Sequence, residues 1–132
     1  MVHSIFLYPV NGSMDVASVE RFLVQQPDVV LDPLGSGTYI VCGVPAAKEL
    51  ACAERRANPT EFPYAVLVTV KPEHVNVFQE YGDKTELLSA RNIVQWILDH
   101  QQCRIEDEYS RDWTERVAQQ GADVLYPPET FR

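Results

Sequence analysis

The segment from Asp83 to His100 constrains the fold more than any other stretch of the chain. Asp83 and Glu86 have the spacing of a capping box, with Asp in place of Ser or Thr. Beyond them Leu87, Ala90, Ile93, Val94, Ile97 and Leu98 recur at helical spacing, and Trp96 sits at the edge of that stripe. The pattern predicts a helix running to about His100 with a wide apolar face. A second stripe, Val16, Val19, Phe22 and Leu23, predicts a helix from a cap at Ser13 or Asp15 to about Gln25, closed by Pro27. Such helices draw most of their stability from packing their apolar faces. The rest of the chain must therefore supply a sheet that covers both.

Strand signals are present in the required number. Val2 to Tyr8 is a β-rich apolar run that stops at Pro9. Val29–Leu31 and Thr38–Cys42 flank Gly35-Ser36-Gly37 and read as a hairpin. Tyr64 to Val70 (YAVLVTV) is nearly continuous in apolar residues, which predicts a central strand covered on both faces or nearly so. Pro72 suits the second position of a type I turn and makes 75–80 the hairpin partner; a short helix starting at Pro72 competes with that reading. Arg104 to about Tyr109 is the last long strand, and Val124-Leu125-Tyr126 is a short one.

Two weaker helices complete the pattern. Pro45 suits a first helical turn, and Ala46 to Ala57 follows with only Leu50 as a large apolar anchor. That helix is expected to be superficial, with Arg55 and Arg56 in solvent and Asn58-Pro59 ending it. Asp112 and Glu115 have capping-box spacing before a short final helix, and Gly121 is placed to end it. The fold class is α+β: a mixed or antiparallel sheet of five to six strands with two main helices packed on one face. This describes a ferredoxin-like or related sandwich. At 132 residues the whole chain, 1–132, reads as one domain.

Composition narrows the class without naming a function. With 45% hydrophobic and 23% charged residues the chain has the balance of a soluble globular domain, large enough to fold without covalent staples. Three cysteines, Cys42, Cys52 and Cys103, form no CxxC pair, which argues against a disulfide framework and for a reducing, cytoplasmic setting. The first residues have no basic region, and Pro9, Asn11 and Gly12 interrupt their apolar run, so no signal peptide is expected. No window reaches the roughly 20 apolar residues of a membrane span. Nineteen acids against eleven bases leave a formal charge of −8, which disfavours nucleic acid and anionic membranes as partners.

No motif specific to a reaction is present. His100-x-x-Cys103 offers two metal ligands, but the second pair that zinc sites usually carry is missing. Cys52 has Lys48, Arg55 and Arg56 nearby but no nucleophile signature around it. Gly35-Ser36-Gly37 joins two strands and lacks the spacing and helix start of a phosphate loop. There is no basic stripe or RNP-type motif. No cofactor and no metal are expected, and catalysis is the less favoured class.

Charge is distributed unevenly. Between Pro72 and Glu108 eight acids face three bases, a net −5, with Tyr81, Trp96, Tyr109 and Trp113 in or beside the stretch. Strand alternation sends Glu106 and Glu108 to one face and Asp107 to the other. Such acids are also what a solvated sheet edge carries against edge-to-edge pairing. The alternative is a surface for a basic protein partner. Glu80, Asp83, Glu106, Asp107, Glu108 and Asp112 would steer it, and Tyr109 and Trp113 would anchor it. Small size, acidity and absence of motifs are similar to the profile of bacterial immunity proteins and antitoxins, which implies neutralisation of a basic toxin or enzyme. The competing expectations are a small-molecule-binding domain or small enzyme on the same sandwich, and an oligomer joined through strand edges or sheet faces.

Overall fold

The computed structural model describes residues 2–131 and contains one six-stranded antiparallel sheet. Its strands are β1 (Ser4–Pro9), β2 (Val29–Leu31), β3 (Thr38–Val41), β4 (Val66–Val70), β5 (Val75–Phe78) and β6 (Cys103–Asp107). They lie in the order β2-β3-β4-β5-β1-β6. The helices are α1 (Val16–Gln25), α2 (Lys48–Ala57), α3 (Lys84–His100) and α4 (Thr114–Gln120). The fold is therefore α+β, and its sheet is purely antiparallel.

Alternation along the strands builds the main core. In β1, Ile5 and Leu7 point inward, opposite Val77 and Val75 of β5 and opposite Asp107 and Ile105 of β6. Val66 and Val68 of β4 join them, and all of these apolar side chains are buried. Onto this layer α1 brings Val19 and Leu23, and α3 brings Leu87, Ala90, Ile93, Val94 and Ile97. Phe22 of α1 stacks on Trp96 of α3 with ring centroids 4.2 Å apart, locking the two helices together. Asp15, rather than Ser13, caps α1 by accepting the Ser18 N–H. The capping box of Asp83 and Glu86 forms as its spacing implies. Gly43 follows β3 with φ +81°, and a Cβ there would come within 3.0 Å of Glu86. Only glycine allows both that backbone conformation and that approach to the α3 start.

The other face of the sheet carries Phe6 and Tyr8 of β1, Asn76 and Phe78 of β5, Leu67 and Thr69 of β4, and Ile40 of β3. Helix α2 covers the β2–β4 end of this face, where Ile40, Ala51 and Ala65 form a second small core with Val30, Phe62 and Leu67. Leu67 and Thr69 remain half-buried, so β4 is fully covered on one face only.

Several expectations need correction. Arg55 is not in solvent. Its guanidinium is buried, with Nε donating to Asp32 Oδ1 at 3.0 Å and Nη2 to Oδ2 at 3.3 Å. Its Nη1 also donates to the carbonyls of Pro59 and Glu61, and its Cζ lies 4.0 Å from the centre of the Phe62 ring. A helix whose one large apolar residue, Leu50, stays exposed is thus tied down by a buried cation as well as by Ala51. Val124–Tyr126 is not a strand, because Ala122–Leu125 forms a 3-10 turn that tucks Leu125 and Tyr126 into the core. Helix α4 starts one residue later than its capping-box spacing implies, with Trp113 at the cap position and no side-chain cap. Asp112 instead accepts from the N–H and hydroxyl of Thr114. The strand expected to reach Tyr109 ends at Asp107, and β5 ends at Phe78.

Removing one partner of a buried ion pair strands the other charge, which costs about 3–5 kcal/mol. Asp32→Ala should therefore lower the unfolding free energy by roughly 3 kcal/mol in urea titrations. Combining it with Arg55→Met should cost clearly less than the two single changes added together. A loss for Asp32→Ala within the range of ordinary surface substitutions would show that the pair is not what holds α2.

Candidate functional site

The half of the outer sheet face beyond α2 is open and carries rings. Alternation in β1 turns Phe6 and Tyr8 outward while Ile5 and Leu7 turn inward, and in β5 it turns Phe78 outward. Phe6, Tyr8 and His74 form a triangle with centroids 5.5 to 6.3 Å apart. Phe78, Tyr81 and Tyr64 form a second group, joined edge to face at 6.0 and 4.9 Å. Between the groups lies Asn76, whose amide donates to Ser4 Oγ at 2.8 Å and to the Ile5 carbonyl at 3.2 Å. Tyr64 is 81% exposed and Tyr81 54% exposed, while the other four rings are half-buried. At the β6 end Arg104 lies over the Tyr8 ring at 4.6 Å and pairs with Glu106. The open half of the face thus combines partly exposed rings with a polar border.

The acids expected to steer a partner divide into two groups. Asp107 is buried, and its carboxylate accepts from the N–H groups of Tyr109 and Arg111, from Arg111 Nε and from Trp113 Nε1. A side chain so enclosed cannot touch a partner; it shapes the turn after β6. Glu108 accepts from the N–H groups of His3 and Ser4 at 2.7 and 3.0 Å, tying that turn to β1. Asp83 is committed to the α3 cap and Asp112 to Thr114. Glu106 lies on the open face opposite Phe6, and Glu80 is exposed 3.5 Å from His3. Tyr109 is exposed at the turn, 5.3 Å from Arg111 Cζ. Trp113 packs half-buried against the main core, with Arg116 over its ring at 3.7 Å. The structure thus brings Glu80, Glu106 and Glu108 to the β1–β6 end of the ring-bearing face. It leaves Tyr109, Asp112 and Trp113 beside the β6 edge, and Asp83 at the start of α3.

The rings of the open face carry no linear signature, because IFLYP reads as a single apolar run. Only strict alternation in β1 separates Phe6 and Tyr8 from the core.

Burial pushes the thiols of Cys42 and Cys103 up to about 11, so neither is a thiolate near neutral pH. His100 stacks on Trp96 at 4.0 Å and bonds the Trp96 carbonyl through Nδ1. Among the described residues no three His, Cys, Asp or Glu side chains gather as metal ligands. Among the described residues no helix is long and apolar enough to cross a membrane. A groove of about 580 Å³ between the end of α2 and residues 58–64 is lined by Glu54, Asn58, Glu61, Phe62, Pro63 and Tyr64. A cleft of about 360 Å³ runs between α3, β6 and α4, past Gln95, Asp99, Cys103 and Thr114. No protein-family model, curated protein or solved structure matches the chain.

Two buried carboxyls give opposite pH signatures. At Glu86 burial raises the pKa most; the N–H of Asp83 opposes and the Asp83 charge adds, bringing it up to about 7. Its unfolded value is near 4.5, so the folded state holds a proton that the unfolded state releases between the two. That contribution to stability is complete below about pH 4.5 and is lost as pH rises through 7. At Asp107 burial opposes the charge, but hydrogen bonds from Trp113, Arg111 and Tyr109 outweigh it and lower the pKa to about 2. Its contribution is present above about 3.8 and is lost as pH falls through 2. Glu86→Gln keeps an acceptor for Asp83 and removes the charge. Its melting temperature relative to the parent should therefore be higher at about pH 8 than at about pH 5. A difference independent of pH, measured by thermal melting, would show that Glu86 does not titrate in this window.

Proposed function

We propose that this chain is a non-catalytic binding protein that docks a basic protein on the open half of its sheet. The supporting observation is the ring-bearing face itself. Three rings, Phe6, Tyr8 and Phe78, lie on the sheet, and Tyr64, His74 and Tyr81 lie on the loops that flank it, next to the half that α2 closes, so their partial exposure is confined to one region. The arrangement is read as an elaborated ferredoxin-like sandwich. The order β6-β1-β5-β4 with α1 and α3 on one face is the basic unit, the β2-β3 hairpin extends it, and α2 shields the extension. The ring-bearing face is then the face opposite the two main helices.

The partner chemistry follows from charge. The chain carries −8 overall, and Glu80 and Glu108 border the rings at one end, beside Glu106 in its pair with Arg104. Charge of this sign accelerates encounter with a cationic protein, while rings anchor the complex once formed. A basic enzyme or toxin whose cationic site is covered by this face fits both properties. Nucleic acid fits neither, because its phosphates would meet carboxylates.

Immobilised protein and its Tyr8→Ala/Tyr81→Ala variant should be compared for capture from a lysate of the native host across a salt series. Proteins retained by the parent should be basic, should elute as salt rises, and should be weakened about tenfold or more by the double change. Glu106→Lys should slow association with the same protein. Capture that survives both ring truncations, or that ignores salt, would overturn the proposal. Thermal melts of the variants separate loss of binding from loss of fold.

A further inference from the structure

Resting on that reading, we infer that the groove between the end of α2 and residues 58–64 receives an arginine side chain of the basic partner. The groove is contiguous with the second ring group, because Tyr64 both lines it and packs edge to face on Tyr81 at 4.9 Å. Its lining includes two carboxylates, Glu54 and Glu61, and two rings, Phe62 and Tyr64, with no basic side chain. Neither carboxylate is in an ion pair among the described residues. Glu54, Glu61 and Tyr64 are all exposed, so their polar atoms are free to meet a ligand.

A guanidinium fits this lining better than other cations. It is planar, stacks on ring faces and bonds carboxylates through paired N–H groups, whereas an ammonium is a compact and strongly hydrated point charge. The chain already uses the same chemistry inside the floor of the groove. Arg55 stacks on Phe62 at 4.0 Å and is held by the Pro59 and Glu61 carbonyls. With its charge matched by Asp32, Arg55 fixes the 58–64 backbone and leaves the outer carboxylates unopposed. The volume of about 580 Å³ takes one long side chain with the backbone that carries it.

The test uses the intact, isotope-labelled protein and a blocked Arg-Gly-Arg peptide followed by NMR. Shifts should concentrate at residues 54–64 and Tyr81 and should weaken as salt rises. Glu54→Gln/Glu61→Gln and Tyr64→Ala should each reduce affinity about tenfold. The Lys-Gly-Lys peptide should bind several-fold more weakly. Shifts spread over acids throughout the surface, an unchanged affinity in both variants, or equal binding of the lysine peptide would overturn the arginine assignment. These exposed changes leave the Arg55–Asp32 pair untouched, and melting curves confirm that each variant is folded. Failure here with ring-dependent capture of a basic protein intact would remove the groove and leave the docking face. Peptide binding at the groove without ring-dependent capture would do the reverse.

Discussion

One buried cation organises the outer half of this molecule. The α2 sequence KELACAERRA offers little apolar surface, and its largest apolar residue, Leu50, stays exposed. Burial of Ala51 alone would not fix such a helix against a sheet. Arg55 supplies the attachment through Asp32, which also accepts from the N–H groups of Leu34 and Ser36 in the turn between β2 and β3. Burial works against the charge on Asp32, yet these donors outweigh it and lower its pKa to about 2. The same guanidinium gathers the chain at Pro59, Glu61 and Phe62. One ion pair therefore joins a turn, a helix and a loop, and places Tyr64 where it meets Tyr81.

The β6 edge of the sheet is closed by the chain itself, and this bears on which surface is free to bind. After β6 the chain returns alongside it. The Trp113 N–H reaches the Ile105 carbonyl at 2.8 Å, and the Asp107 N–H reaches the Arg111 carbonyl at 3.1 Å. Asp107 draws that return together from inside. The β6 edge is thereby satisfied by the chain's own backbone. The C-terminal turn is tied in by a second buried network, in which Tyr126 donates to Gln79 and the Gln79 amide donates to the Val2 carbonyl, both at 2.8 Å. Packed elements on both sides thus frame β1 and β5, the strands that present Phe6, Tyr8 and Phe78.

Periodicity made the main elements legible, and the reason is physical. The α1 and α3 stripes and the alternation of the strands are imposed by burial on one face, so they are written residue by residue. Arg55 was not legible, because an Arg-Arg pair in a polar helix is ordinarily solvated and its partner Asp32 lies 23 residues earlier. Asp107 was hidden for a related reason: among three consecutive acids nothing local marks the one whose neighbours donate four hydrogen bonds to it. Val124-Leu125-Tyr126 misled because three apolar residues fit a buried turn as well as a strand. The open face was not legible: of its rings only Tyr81 stood out in the sequence, and the absence of a covering layer is a property of the whole fold.

The net charge of −8 changes meaning once its members are placed. Asp32, Asp107, Glu106 and Asp123 are matched by Arg55, Arg111, Arg104 and Arg91. Paired charges of opposite sign cancel over a few ångströms and contribute little to the field felt by an approaching protein. The field that remains comes from acids without a cation, and screening limits each to about 10 Å at ordinary ionic strength. Glu54 and Glu61 beside Tyr64, and Glu80 beyond β5, are within the neighbourhood of the rings; many other acids are not. The sign of the total therefore matters less than its coincidence with apolar surface. The places where unpaired carboxylates and exposed rings meet are the ends of the open sheet face, and there a cation can gain from both.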